Sequence, residues 1–142
     1  MPIDDILKAP VRVLPPDATC MEAARMMRDE NIGCIVIAEQ DRPLGIVTDR
    51  DLVLRVMAPG GEAEKFQLRD VMTSEPIFVS ADQSLDQVVA AMRDLAIRRV
   101  PAVDEHGSLC GMVSLDDVVL RLADQLGDLA EAVRAELAGG AA

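Results

Sequence analysis

Two short stretches hold residues able to do chemistry. One reads Gly45-Ile46-Val47-Thr48-Asp49-Arg50-Asp51, the other Gly111-Met112-Val113-Ser114-Leu115-Asp116-Asp117. They share a glycine, an apolar residue, a valine, a hydroxyl residue, two variable positions and an aspartate. Each lies where an apolar extended run gives way to helical spacing, so each reads as a strand-to-helix turn. Such a turn offers backbone N–H groups and the positive end of a helix dipole, which suits a phosphate. The hydroxyl adds a donor, and the aspartate one turn on can accept from both hydroxyls of a ribose. The carboxylate must then face the sugar while the N–H groups face the phosphate. The same residues fit a structural role: Thr48 and Ser114 as N-caps, Asp51 and Asp117 as capping-box acids that suit the dipole. The sequence leaves both readings open.

The elements that position these turns come twice. When the chain is slid by 65 positions, Asp5 falls on Asp70, Asp17 on Asp82, Met27-Arg28-Asp29 on Met92-Arg93-Asp94, and Ile32 on Ile97. After one extra residue near Leu109-Cys110, Gly45 matches Gly111, Asp51 matches Asp117, and Val53-Leu54-Arg55 matches Val119-Leu120-Arg121. Each copy opens on an extended segment, Val11–Leu14 or Pro76–Val79. A helix follows, over about 20–30 and 85–95, announced by capping boxes at Thr19-x-x-Glu22 and Ser84-x-x-Gln87. A hairpin comes next, Ile35–Ala38 with Leu44–Val47 and Val100–Val103 with Leu109–Val113, around turns rich in Asp, Gly, Gln and Pro. A second helix begins near Asp49 and near Leu115.

The unit is β-α-β-β-α, twice, with repeat 1 over 3–57, a linker over 58–67 and repeat 2 over 68–121. A unit of this size buries too little alone. The expectation is a mixed α/β (α+β) fold in which two three-stranded sheets pack face to face, share one core and are related by a pseudo-two-fold axis. Gly45 and Gly111 serve either a close backbone approach or a strand without a side chain. Beyond the second copy, Leu122, Leu126, Leu129, Val133 and Leu137 recur at helical spacing among acidic residues. This predicts an amphipathic helix from 115 to about 138, with a C-terminal extension over 122–138 that lies back on the module or packs on a partner subunit, and a frayed end at Gly139–Ala142.

Composition excludes several function classes. The 142 residues carry a net charge of -11, half are apolar, the mean hydropathy is +0.19, and Phe66 and Phe78 are the aromatic residues. An acidic chain without stacking platforms is a poor nucleic-acid reader. No apolar run approaches a membrane span, and no basic stretch followed by an apolar one opens the chain, so a cytoplasmic protein is expected. Cys20, Cys34 and Cys110 lie in apolar stretches without a CxxC and read as buried thiols. The lone His106, beside Gly107 in a polar turn, has no ligand-spaced companion, so no metal site is expected. No nucleophile with a base and no phosphate-binding Walker loop is present, so no catalytic residue or catalytic cofactor is assigned.

The repeated unit with its Gly-apolar-x-hydroxyl-x-x-Asp turn resembles a tandem pair of cystathionine-β-synthase (CBS) domains, a Bateman module. Asn31-Ile32-Gly33-Cys34-Ile35-Val36-Ile37, Ile97-Arg98-Arg99-Val100-Pro101-Ala102-Val103-Asp104 and Leu68-Arg69-Asp70-Val71-Met72-Thr73 agree in order, so the likeness covers about 3–121. The resemblance implies a regulatory module, not an enzyme, that binds AMP, ADP, ATP or S-adenosylmethionine in clefts between the copies. It assigns Thr48 and Asp51 to one cleft and Ser114 and Asp117 to the other. It also implies a homodimer, and a regulated partner protein, since no output domain is visible and a stand-alone CBS-domain protein is expected. The alternative is a ligand-free interaction scaffold of the same fold.

The Arg98-Arg99 pair resembles one that the family turns toward phosphate, and a guanidinium fork suits that role. Arg50, within the first turn, is a further candidate. Alternation along Ile97–Val103 sends one of Arg98 and Arg99 inward and the other outward. The bland reading pairs them with surface acids. The first copy carries Gly33-Cys34 at the matching places, so the two clefts are expected to differ.

Overall fold

The structure, a computed structural model, describes residues 3–8, 11–74 and 78–139. In the first repeat, β1 (Val13–Leu14) leads to α1 (Cys20–Glu30), β2 (Cys34–Glu39), β3 (Arg42–Thr48) and the short α2 (Asp49–Leu52), which continues as a π-helical turn over Val53–Met57. Then come α3 (Leu68–Val71), β4 (Thr73–Ser74), β5 (Val79–Ser80), α4 (Leu85–Leu95), β6 (Arg99–Val103), β7 (Leu109–Ser114) and α5 (Leu115–Gly139). The fold is mixed α+β with two sheets and a long C-terminal helix.

Local sequence explains why these elements begin and end where they do. Thr19 and Ser84 each accept from the backbone of Glu22 or Gln87, whose side chains return the bond, so both first helices start on complete capping boxes. Both end one residue on in the left-handed region, at Asn31 (φ 54°) and Ala96 (φ 54°). The apolar spacing Ala23, Met26, Met27 and Val88, Ala91, Met92 predicts the inward face of each helix; Ala23, Met27, Val88 and Met92 are buried, with Cys20, while Met26 and Ala91 are half-buried. The first hairpin closes through Gln40 and Asp41, both at positive φ, the geometry that matches the twist of two-residue hairpins. In the second, Asp104 Oδ1 accepts from the N–H groups of His106 (2.8 Å) and Ser108 (3.0 Å), which holds its carboxyl below the usual range. A register shift recurs at Ile37/Ala38 and at Ala102/Val103, the same place in each copy.

The expected single shared core is corrected: each repeat has its own buried cluster. One holds Cys20, Ala23, Met27, Ile35, Ile37 and Val47, the other Val88, Met92, Val100, Ala102, Val113 and Val118. The reason is that each helical layer and its sheet already enclose a dry interior, and a segment from the other repeat completes it. Ile3 and Ile6, N-terminal to the first repeat's strands, belong to the second cluster. Leu68 and Val71, which open the second repeat, belong to the first. Packing thus crosses the boundaries expected at 57 and 68. Val36 and Pro101, equivalent by the 65-residue shift, lie on the opposite faces of β2 and β6 and are also fully buried, so the two sheets cover each other there.

The same crossing alters the sheets. The first has four strands in the order β1-β2-β3-β4, not three, because Thr73 pairs with Ile46 and Ser74 with Gly45. The second has β5-β6-β7, and Lys8 bridges Met112 at the equivalent edge. Gly45 and Gly111 allow this approach. A Cβ at Gly45 would lie 2.6 Å from Met72 Sδ and 2.8 Å from the Thr73 carbonyl oxygen; at Gly111 it would lie 3.2 Å from Leu7 Cδ2. Two extended segments are shorter than expected, Val13–Leu14 and Val79–Ser80, while Pro76 and Ile77 lie outside the described residues. Helix α5 runs unbroken through Gly139, so the fray expected at Gly139 is not seen, and 140–142 lie outside the described residues.

Candidate functional site

The turn after β3 is closed on itself. Thr48 Oγ1 accepts from the Asp51 N–H (3.2 Å) and Asp51 Oδ2 accepts from the Thr48 N–H (2.9 Å). The Asp49 N–H donates to the Gly33 carbonyl (3.1 Å), and the Arg50 N–H donates to Asp49 Oδ1 (2.9 Å). The first three helical N–H groups, expected to be free for a phosphate, are therefore spent within the chain. Three different acceptors take them: the Gly33 carbonyl from the strand alongside, the Asp49 carboxylate and the Thr48 hydroxyl, while the Asp51 carboxylate takes the N-cap N–H. The other Asp51 oxygen lies 3.9 Å from Arg55 Nε, and Arg55 also donates to the Val71 carbonyl (2.7 Å). The Arg50 side chain is exposed to solvent.

The turn after β7 is looser. The Asp117 N–H donates to Ser114 Oγ (3.1 Å), and that hydroxyl donates to Asp117 Oδ2 (2.8 Å). The Leu115 N–H donates to the Arg98 carbonyl (2.7 Å). Asp117 Oδ1 lies 3.9 Å from Lys8 Nζ, an ion pair with the lysine largely in solvent, so it contributes little.

Lys8 leads to a cleft. A cavity of about 320 Å³ opens between the two repeats. From the first repeat and its lead-in come Lys8, Val11, Arg12, Ile32 and Cys34; from the second come Arg99 on β6 and Met112 on β7. Val11, Ile32 and Met112 make apolar walls, and Asn31 adds an amide. Lys8, Arg12 and Arg99 put three cations on the cleft in a chain of net charge -11; Lys8 and Arg12 are already paired with Asp117 and Glu30, and Arg99 has no carboxylate partner among the described residues. Arg12 is held by Glu30, whose second oxygen is buried without a partner among the described residues. Burial pushes the Cys34 thiol up to about 11, against the opposing pull of Arg99, so it is neutral and unreactive at pH 7.

Of the seven residues singled out from the sequence, Arg99 lines this cleft, and Asp117 with Ser114 borders it through Lys8 and the strand of Met112. Thr48 and Asp51 are joined in their capping box. Arg98 donates to Asp116 Oδ1 (2.8 Å) with both side chains in solvent, as the bland reading expects; Arg99 is exposed too, so the expected alternation buries neither, because β6 begins only at Arg99. Lys8 and Arg12 were missed. The only sequence signal for them is that they are cations flanking the first extended segment, and which way that segment faces depends on packing against a strand about a hundred residues away. A second cavity, of about 330 Å³, lies at the far end of β5 and β6 beside Asp82, Asp104 and His106, away from both turns. Among the described residues no cluster of His, Cys, Asp and Glu could hold a metal ion, and no helix is long and apolar enough to cross a membrane.

Comparison with known proteins accords with this architecture. A protein of Methanopyrus kandleri is 40% identical over 105 residues; the match covers 73% of this chain and 54% of that protein, so the chain spans about half its length. The CBS domain-containing protein YhcV of Bacillus subtilis is 33% identical over 118 residues, 83% of each chain. The solved CBS domain pair of protein MJ0100, in complex with 5′-methylthioadenosine and S-adenosyl-L-methionine, superposes with a TM-score of 0.78 at 25% identity, covering 88% of this chain and 98% of that one. A model of the CBS domain matches residues 3–58 and again 68–124. With a duplicated unit, two interlocked sheets and a cleft between them, the chain belongs to the CBS domain family as a tandem pair.

Proposed function

We propose that the protein is a non-catalytic regulatory module that binds a phosphate-bearing adenosine nucleotide (AMP, ADP or ATP) in the cleft between its repeats and passes occupancy to a partner protein. The observation that carries this reading is the set of three cations, Lys8, Arg12 and Arg99, with Arg99 unclaimed by any described carboxylate, around a cleft with apolar walls in an acidic chain. Apolar walls suit a purine, and the cations suit a phosphate. Arg99 is the phosphate partner, because no described carboxylate claims it. Asp117, with one oxygen outside its capping contact, takes the ribose hydroxyls, and Ser114 orients it. The pair Thr48 and Asp51 belongs to the second cleft, with Arg98 and Arg50 at its margins, and fills it weakly because its donors are already engaged. S-adenosylmethionine carries a sulfonium and is disfavoured beside three cations. Binding across the two repeats favours one relative arrangement of them, by no more than the ligand's differential affinity for the two arrangements.

Thermal unfolding with AMP, ADP, ATP, S-adenosylmethionine and NAD tests this. At one hundred times Kd a nucleotide stabilises the fold by about 2.7 kcal/mol, a rise of roughly 5–10 °C. Arg99→Ala should weaken nucleotide binding by roughly tenfold to a hundredfold, the value of a charge-assisted hydrogen bond. If no nucleotide shifts the transition, or if S-adenosylmethionine alone does, the assignment is wrong. The closed capping box at Thr48 and Asp51 favours the second reading, a ligand-free interaction scaffold, and a flat response to all five compounds would select it.

A further inference from the structure

Glu30 stands where helix chemistry gives no reason for an acid. It is the last residue of α1, beside the C-cap Asn31. Unpaired carbonyl groups make that end of a helix negative, so a carboxylate there opposes the dipole. One of its oxygens, Oε2, is also buried with no hydrogen-bond partner among the described residues. A buried oxygen left unpaired costs stability and calls for a reason elsewhere. The charged group that meets Glu30 is Arg12, whose Nη2 lies 2.5 Å from Oε1.

The second repeat supplies a control. By the 65-residue shift Arg12 falls on Ile77 and Glu30 on Leu95, so both charges of the pair give way to apolar residues there. Helix α4 has the same length as α1, starts on the same kind of capping box and ends on Leu95 without an acid. The unit therefore folds without the pair. What sets the first copy apart is that Arg12 lines the cleft with Lys8 and Arg99.

Arg12 is gripped at both ends. Its carbonyl accepts from the Val36 N–H (3.1 Å), which ties the backbone to β2, and Glu30 holds the guanidinium. Between these points the side chain is long and largely in solvent. A free arginine loses rotamer freedom when it closes on an anion, and one held beforehand does not. A guanidinium carries five N–H donors in a planar fork, so contact through Nη2 leaves others for a phosphate. The neighbouring carboxylate also weakens the pull of the cation on an anion. Positioning and screening thus act in opposite directions, and substitution tells them apart.

We propose, on the nucleotide reading above, that Glu30 is a positioning residue for the phosphate of the bound nucleotide and acts through Arg12. Calorimetric titration of the full chain with AMP and with adenosine tests this, because the ratio of the two affinities isolates the phosphate, whereas a general defect in the fold moves both alike. Glu30→Ala should lower the preference for AMP roughly two- to tenfold, the value of ordering one long side chain on binding. Glu30→Gln retains an oxygen for Arg12 without the charge, and should keep the wild-type preference or exceed it. Arg12→Ala should lower the preference at least as much as Glu30→Ala, and the double substitution no further than Arg12→Ala alone. A Gln variant as weak as the Ala variant, or a double variant weaker than Arg12→Ala, overturns the proposal. A wild-type chain with no preference for AMP overturns the nucleotide reading and this role together. A wild-type preference that Glu30→Ala leaves intact or raises makes Glu30 a screen and overturns this role alone.

Discussion

The two aspartate turns are near copies in sequence and differ in what they leave unspent. After β3, Asp51 and Thr48 bond each other's backbone, and the N–H groups of Asp49 and Arg50 are taken by Gly33 and Asp49. After β7, Asp117 bonds only the Ser114 side chain through one oxygen, while the other approaches a lysine on the rim of a cleft. The lesson is that one motif can spend all its polar groups at a helix start in one repeat and leave a carboxylate oxygen outside the cap in the other. Within the turns the first carries Asp49 where the second carries Leu115, and the neighbouring strands differ as well. Position 34 is a cysteine and its equivalent, position 99, an arginine.

The comparison can be pressed hardest at the glycines. At Gly45 an added methyl lies 2.6 Å from Met72 Sδ and 2.8 Å from the fixed Thr73 carbonyl, whereas at Gly111 its nearest neighbours, Leu7 and the Lys8 carbonyl, stand 3.2–3.4 Å away. Gly45→Ala should cost about 1–3 kcal/mol, and Gly111→Ala under about 1 kcal/mol, read from urea midpoints. Equal costs would mean that the two edges are equally crowded.

Next in size are the aspartates themselves. Asp51→Ala removes a complete capping box and should cost about 1 kcal/mol of stability while leaving nucleotide affinity at the Asp117 cleft unchanged. Asp117→Ala should do the reverse, a smaller stability cost with a loss of nucleotide affinity. A variant pair that moves both quantities alike would erase the proposed division of labour.

The helix ends offer a smaller contrast. Asn31 and Ala96 hold the same left-handed conformation, which asparagine tolerates and alanine does not. Ala96→Gly should stabilise the fold by about 0.5 kcal/mol, the relief of strain less the added freedom of the unfolded chain. Asn31→Gly should be neutral within a few tenths, both read by thermal melts.

The smallest effect at neutral pH is that of the cysteine. Its thiol is raised by burial from 9.0 to about 11, so the folded chain holds a proton that the unfolded chain releases. Its contribution is fully present below pH 9 and is lost as pH rises from there to 11. Cys34→Ser should flatten the fall of stability across that window. An unchanged slope would show that the thiol is not the group responsible.

Much of this was legible in the residues alone. The 65-residue shift, both capping boxes and the hairpins lie in local pattern, and α1 and α4 match their expected spans residue for residue. Strand β4 and the placement of Ile3 and Ile6 were not legible, because each depends on a segment meeting the other repeat's sheet and no local preference encodes that meeting. The site divides in the same way. Arg99 could be named from an Arg-Arg pair on a strand, but Lys8 and Arg12 become cleft residues only once the crossing of the lead-in is known. The turns' spare N–H groups were overestimated, since the Gly33 and Arg98 carbonyls, brought in by the neighbouring strands, and the Asp49 carboxylate take some of them, and only the folded turn reveals those partners.

The exchanged lead-ins bear on how the chain is made. Ile3 and Ile6 are synthesised well before Val113 and Val118, roughly a hundred residues later in the chain, whose interior they fill. Closing so long a loop costs only slightly more entropy than closing a short one, but it makes the reaction slow and all-or-none. Cleavage between Gly60 and Gly61 should therefore yield two fragments that are each incomplete in isolation and regain structure on mixing, as matched halves of one cooperative unit.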